Sequence, residues 1–414
     1  MGKIKSIMAP YLGLPKSIYV IFFATIVNSL GNFVGPFLTM FLTSRIGIDV
    51  GVVGLLVAVN AFLGMLGAMI GGKLIDTIGR KPILLIFRTI SGVGYVLCAF
   101  TRDPLIITAV LMFAGFFGGF SQPVYTTIIT DLTEGEQRKG AFSLNYLAIN
   151  IGFSVGPLLA GFLYENYLEW LFLGDALTIF ISVILVMVFV PETKPSKEVI
   201  TKSGSNESEE EGGLLAALWS RPELVVFSLI IVIFFIAFAQ TKMGLPLQVE
   251  SVFSEGGAKI FGSLMAVNAI LCTLLTVFIT SAVRNLKASL TIAIGGLFYA
   301  VGFGMLFVAN SFFGFVISTA IWTVGEILIA VNTGVYIADH TPITHRGRFN
   351  SVFPMIRRLG FFGGPIIAGY VIKFTDIRNL WLLIGALSFL GALMMYKLYR
   401  LDREKNKEKV AQTA

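Results

Sequence analysis

With 414 residues, 56% of them hydrophobic and only 13% charged, and a mean hydropathy of +0.84, the chain carries too little polar surface for a water-soluble fold of its size. Its formal charge of +7 and pI near 9.3 are shared with many nucleic-acid binders, yet the basic residues fall in loops between apolar runs, which excludes a nucleic-acid partner. Cys98 and Cys272 both lie inside apolar runs, which excludes a disulfide framework and a cysteine-rich metal site.

The basic start MGKIKSIMAPYLGLPK leads into an apolar run too long for the core of a signal peptide, so the first span is read as retained. Runs at 18–43, 51–71, 83–100, 105–130, 141–164 and 171–190 follow. After them KPSKEVITKSGSNESEEEGG, poor in hydrophobic residues and rich in Ser, Gly and charge, reads as a flexible linker. Six further runs, at 224–248, 260–283, 289–309, 311–338, 349–372 and 380–396, complete the chain. Each crosses a hydrocarbon core of about 30 Å as a helix, which satisfies its own backbone hydrogen bonds. The expected fold is an all-α membrane protein of twelve transmembrane helices. They form two pseudo-symmetric six-helix bundles, 1–191 and 223–414, the second ending in a cytoplasmic tail, with a cytoplasmic linker at 192–222. Arg45, Arg102, Lys259, Lys373 and Arg378 fall in one set of loops and the denser basic residues in the other set and at both ends. The positive-inside rule then places both termini in the cytoplasm and the chain in the cell membrane.

An internal repeat sharpens this division. A shift of 208 residues superposes 131–161 on 339–369 with ten identities, among them Asp131/Asp339, Arg138/Arg346, Gly152/Gly360, Gly156/Gly364, Pro157/Pro365 and Gly161/Gly369. Duplication of a six-helix unit accounts for matches that include loop charges as well as small residues.

After the second run comes GGKLIDTIGRKP, residues 71–82, in which Gly72 and Gly79 allow close approach and a tight loop presents Asp76, Arg80 and Lys81. It resembles the signature loop of the major facilitator superfamily. The resemblance implies that Asp76 caps a helix of the opposite half as a cytoplasmic latch, and that the basic residue pairs with an acid ending span four, where Asp131 stands. The equivalent stretch of the second half, SAVRNLKAS, lacks the pattern. GFSVGPLLAG, residues 152–161, resembles the Gly-Pro element of members that exchange substrate against protons, through Gly152, Gly156, Pro157 and Gly161. Ordinary small-residue packing explains it as well, because the element recurs in span eleven. Within the superfamily the chain is most similar to the twelve-helix drug:proton antiporters. It departs from them in having no arginine in span four and in carrying Asn145 where some members have a carboxylate.

An ionisable group inside a bilayer is costly unless it has a role, so each is a candidate. Glu326 is the carboxylate nearest the centre of a span and, by resemblance, matches a glutamate of some multidrug antiporters; it is the expected proton-coupling residue. Lys242 either faces the cavity or snorkels to the interface. Arg357 and Arg358 are neighbours on a helix and point about 100° apart, so one is free to neutralise Glu326 while the other supports the latch. Arg88 is read as snorkelling and Asp175 as wet near a helix end. The family fold implies that spans one, four, seven and ten line a central cavity. That cavity would present Asn28, Asn32, Gln122, Tyr125, Gln240, Lys242, Glu326 and Asn332 among aromatic walls such as Phe33, Phe37, Phe120, Phe235 and Phe238.

The expected function is proton-coupled efflux of lipophilic or amphipathic small molecules, cationic ones included, by alternating access. A proton symporter or lipid flippase of the same fold is the alternative. A membrane-embedded enzyme lacks support, since His340 and His345 have no ligand spacing around them and no phosphate-binding loop is present. The expected partners are a small-molecule substrate, protons and membrane lipids. Neither cofactor nor metal is called for beyond the proton gradient, and the chain is expected to act as a monomer.

Overall fold

The computed structural model describes residues 13–194, 222–283, 285–340 and 346–413. Twelve helical segments follow in order. The first half holds α1 (Lys16–Arg45), α2 (Val50–Ile78), α3 (Arg80–Phe100), α4 (Pro104–Leu132), α5 (Gly135–Asn166) and α6 (Leu168–Phe189). The second holds α7 (Pro222–Ala239, continued by Gly244–Phe253), α8 (Gly257–Val283), α9 (Ala288–Met305), α10 (Phe312–His340), α11 (Arg346–Phe374) and α12 (Ile377–Thr413). Among the described residues eleven are long and apolar enough to cross a membrane; the remaining long helix, α11, carries Arg357 and Arg358 in its interior. Leu105, Phe100, Phe278 and Val277 are each more than 70% exposed, a surface that suits hydrocarbon and not water.

Helix starts follow local chemistry. Asp103 accepts hydrogen bonds from the backbone N–H groups of Leu105 (2.8 Å) and Ile106 (3.2 Å), with Pro104 in the first position of α4. Asp49 does the same for Gly51 and Val52 at the head of α2. At the head of α3, Gly79 adopts φ +123°, a left-handed conformation suited to glycine, and a Cβ there would stand 2.7 Å from a Glu192 carboxylate oxygen.

Hydropathy predicts unbroken spans, but α1, α4 and α7 are each interrupted midway, at Gly31–Phe33, Ser121 and Gln240–Met243. Pro36, Pro123 and Pro246 follow the breaks; each lacks an N–H and crowds the carbonyl four residues earlier. Polar side chains then take up freed carbonyls: Gln240 donates to Ile236 (3.0 Å), Thr241 to Phe238 (2.7 Å) and Ser121 to Gly118 (2.8 Å). The helices α5 and α11 run through their prolines, Pro157 and Pro365 among them. The breaks in α1 and α7 fall at similar places in the two halves, with Pro36 and Pro246 standing 210 residues apart.

The helices form two compact units that borrow from each other's sequence. One comprises Met1–Gly47, Val59–Ser208 and Glu255–Ala269, and the other Ile48–Ala58, Glu209–Ser254 and Ile270–Ala414. In the first unit the head of α8 lies on α5, where Gly262 admits the Pro157 carbonyl and Gly161 faces the Ala258 carbonyl. In the second the head of α2 lies on α11, where Gly54 faces the Pro365 carbonyl and Gly369 the Val50 carbonyl. All four partners interchange under the 208-residue shift. Each seam ends in an ion pair, Lys259 with Glu165 and Lys373 with Asp49 (3.2 Å), and Glu165 and Lys373 are equivalent positions of opposite charge.

Lys373, by donating a hydrogen bond, holds the Asp49 carboxyl below the usual carboxylate range, and the backbone N–H groups of Gly51 and Val52 act the same way. A depressed value stabilises the fold above the unfolded carboxylate pKa, and that contribution is lost as pH falls through the folded-state value. Lys373→Met is expected to move the Asp49 titration upward, read by carboxyl-carbon NMR; an unchanged midpoint would mean that the helix terminus alone sets it.

Candidate functional site

The first unit holds a half-open cavity of about 460 Å3 with polar side chains on its wall. The two broken helices α1 and α4 supply Asn28, Asn32, Gln122 and Tyr125 to its wall, and α5 supplies Asn145. Thr25 donates to Asn145 (3.2 Å), and the Tyr125 and Ser182 hydroxyls are paired at 3.0 Å. Asn28 Oδ1 is shielded from solvent and has no hydrogen-bond donor. Two charged groups share this wall. Arg88 of α3 points inward rather than snorkelling, and Asp175 of α6 is 5% exposed rather than wet. The backbone N–H of Val34, at the start of the second piece of α1, donates to Asp175 (3.1 Å), so the break in α1 presents its positive end to a buried carboxylate.

The second unit carries the other acidic locus. Glu326 is partly buried midway along α10 and accepts a hydrogen bond from the Cys272 thiol of α8 (3.7 Å). Its neighbour Gly325 fixes the helix against α9, since a Cβ there would stand 2.6 Å from the Tyr299 ring and 2.7 Å from the Gly295 carbonyl. Gln240, in the α7 break, is fully buried and also donates to the Gly364 carbonyl (3.1 Å). Lys242, in the same break, lies over the Phe361 ring at 5.8 Å, and Arg357 lies over Phe235 at 5.6 Å. Arg358 is half-buried one residue on, and Asn332 donates to the Leu328 carbonyl of its own helix (2.8 Å).

A third cluster surrounds the α2–α3 turn. Arg80, only 7% exposed, meets Asp131 at 2.9 Å and also donates to the Ile75 carbonyl (3.2 Å). Thr193 donates to the same Asp131 oxygen (3.0 Å), Glu192 accepts from the Arg80 and Lys81 backbone N–H groups (3.0 Å each), and Lys194 donates to the Thr77 carbonyl (2.6 Å).

These features, a duplicated six-helix unit with broken helices beside polar and acidic groups, are those of a transporter scaffold. The family model for the Major Facilitator Superfamily matches residues 21–296 and 256–414. The chain belongs to the Major Facilitator Superfamily.

As a member of that superfamily it is a multi-pass membrane protein and a secondary transporter. It is 25% identical over 409 residues to the quinolone resistance protein NorA of Staphylococcus aureus, covering 95% of this chain and 99% of that one. It is 23% identical over 358 residues to a Na(+), Li(+), K(+)/H(+) antiporter of Planococcus maritimus, covering 80% and 83%. Among solved structures it resembles the nucleoside transporter NupG, with TM-score 0.74, 17% identity and coverage of 93% and 99%. It also resembles a POT family transporter in complex with a thioalcohol-conjugated peptide, with TM-score 0.78, 15% identity and coverage of 94% and 97%. At such identity the solved structures establish the fold.

Against this frame of twelve facilitator helices, several expected positions shift. Gly71, not Gly72, makes the close approach in the signature loop: a Cβ on Gly71 would meet the Phe120 backbone, whereas Gly72 has open space. The Asp76, His340 and His345 side chains lie outside the described residues. Gly152 and Gly156 seat the first piece of α1, and Gly360 and Gly364 seat α7, so close packing accounts for both copies of the Gly-Pro element. Phe33, Phe37 and Phe120 are at most 5% exposed and serve as helix packing rather than cavity wall. Glu192, Thr193 and Lys194 escaped notice because they open a stretch whose composition reads as linker. Asp131→Asn is expected to cost on the order of 3 kcal/mol by leaving the buried Arg80 guanidinium short of its counter-charge, read as a lower melting temperature in detergent.

Proposed function

We propose that this facilitator exports amphipathic small molecules in exchange for protons, with Glu326 as the coupling acid. The observation that carries this reading is a partly buried carboxylate midway along a membrane helix, touching a thiol and clamped by glycine packing against α9. Such a group exchanges its proton only when water reaches it, which is what alternating access provides. The substrate cavity is assigned to Asn28, Asn32, Gln122 and Tyr125 in the first half and to Gln240, Lys242 and Asn332 beside Glu326 in the second. Arg357 and Arg358 supply compensating charge. The Arg80–Asp131 cluster is the cytoplasmic gate, with both termini on that side of the cell membrane and the chain working as a monomer without a cofactor. Two relatives support this reading: one is named for quinolone resistance, and the other for antiport of alkali cations against protons.

Everted membrane vesicles test the direction. Acidifying their interior is expected to drive uptake of an amphipathic dye, and a protonophore is expected to abolish it. Uptake into right-side-out vesicles under an inward proton gradient would instead establish symport.

A further inference from the structure

Arg88 is the guanidinium on the wall of the first unit's 460 Å3 cavity, eight residues into α3, and its hydrogen-bonding capacity is not used by the fold. Its Nε is shielded from solvent and has no hydrogen-bond partner, and no ion pair to Arg88 forms among the described residues. The guanidinium fits beside Gly118 of α4, where a Cβ would stand 4.0 Å from Nη1, so the absent side chain leaves it room. Asp175 faces the same cavity but is engaged by the Val34 backbone N–H. A shielded guanidinium N–H without an acceptor is costly, and the planar fork of a partly buried arginine on a cavity wall matches a carboxylate in two-point contact. Asn28 Oδ1, on the same wall, lacks a donor in the same way.

The geometry points to a carboxylate-binding subsite: Arg88 anchors the carboxylate of an amphipathic substrate that also carries an N–H donor, received by Asn28. Asp175, held at the α1 break, balances the Arg88 charge when the cavity is empty of substrate. A bare metal cation is disfavoured there by the same guanidinium. At about 460 Å3 the cavity takes a drug-sized molecule. This inference rests on reading the cavity as part of the substrate path.

The test compares norfloxacin, a quinolone with a carboxylate and an amine, with its methyl ester, by calorimetric titration of the purified full-length protein in detergent. The acid is expected to bind about 10- to 100-fold more tightly than the ester, the worth of a hydrogen-bonded charge. In Arg88→Gln the acid-to-ester ratio is expected to fall to about one, and in Arg88→Lys to an intermediate value, since a point charge replaces a fork. Equal binding of acid and ester by the unaltered protein, or a preference that survives Arg88→Gln, overturns the inference. Proton-driven uptake of the ester into everted vesicles by the unaltered protein reports the exporter reading separately. Uptake of the ester without any acid preference removes the subsite alone, and failure of both compounds to bind or move removes both readings.

Discussion

Glu326→Gln is expected to lower substrate accumulation against a gradient by about a hundredfold, the loss typical of removing a proton-transferring group. Gln keeps the size and polarity of the side chain, so its contact with Cys272 and the packing of α10 against α9 at Gly325 persist. The variant is expected to retain substrate exchange down a gradient, because rocking of the halves does not itself require a proton once the acid is permanently neutral. Reconstituted vesicles separate the two behaviours. Loss of uphill accumulation with downhill exchange preserved is the signature of a coupling residue. Loss of both to the same extent would mark Glu326 as structural.

The second large effect concerns packing. Gly364 and Gly363 are neighbours on α11, but a Cβ on Gly364 would stand 2.6 Å from the Ala239 Cβ and 3.1 Å from the Ile236 carbonyl, whereas one on Gly363 meets nothing within 4 Å. Gly364→Leu is therefore expected to force α11 off α7 at the break, costing about 3 kcal/mol or more, the upper range of overpacking. Gly363→Leu is expected to be tolerated. The repeat predicts the same result for Gly156→Leu, where a Cβ would stand 2.5 Å from the Leu30 carbonyl. Elution of the purified variants as single symmetric peaks, and their melting temperatures, read the difference. Equal tolerance of both neighbours would contradict the assignment of the Gly-Pro elements to helix seating.

The order of the twelve helices was legible in the sequence because hydropathy over twenty residues is a strong signal in a bilayer protein, but their limits were not: α5 starts at Gly135 and α12 runs to Thr413, through polar residues that hydropathy leaves out. The breaks in α1, α4 and α7 were written there too, as Pro36, Pro123 and Pro246 beside polar residues, but hydropathy averages over them. The cavity residues Asn28, Asn32, Gln122 and Tyr125 were found because polar side chains stand out in apolar runs. Arg88 and Asp175 were misplaced for one shared reason: distance along a helix from its end was taken as depth. Asp175 lies seven residues into α6, yet the interrupted α1 offers it the Val34 N–H and draws it inside. The register of the signature loop was off by one glycine because only the neighbouring helix distinguishes Gly71 from Gly72.

Substrate-induced proton release probes the coupling most directly. The purified protein, in a lightly buffered detergent solution at a pH where the coupling acid is protonated, receives norfloxacin while a pH indicator is followed. Exchange of proton for substrate at Glu326 predicts an immediate, saturable acidification that is absent in Glu326→Gln. Substrate binding with no proton released, or release undiminished in that variant, would contradict it.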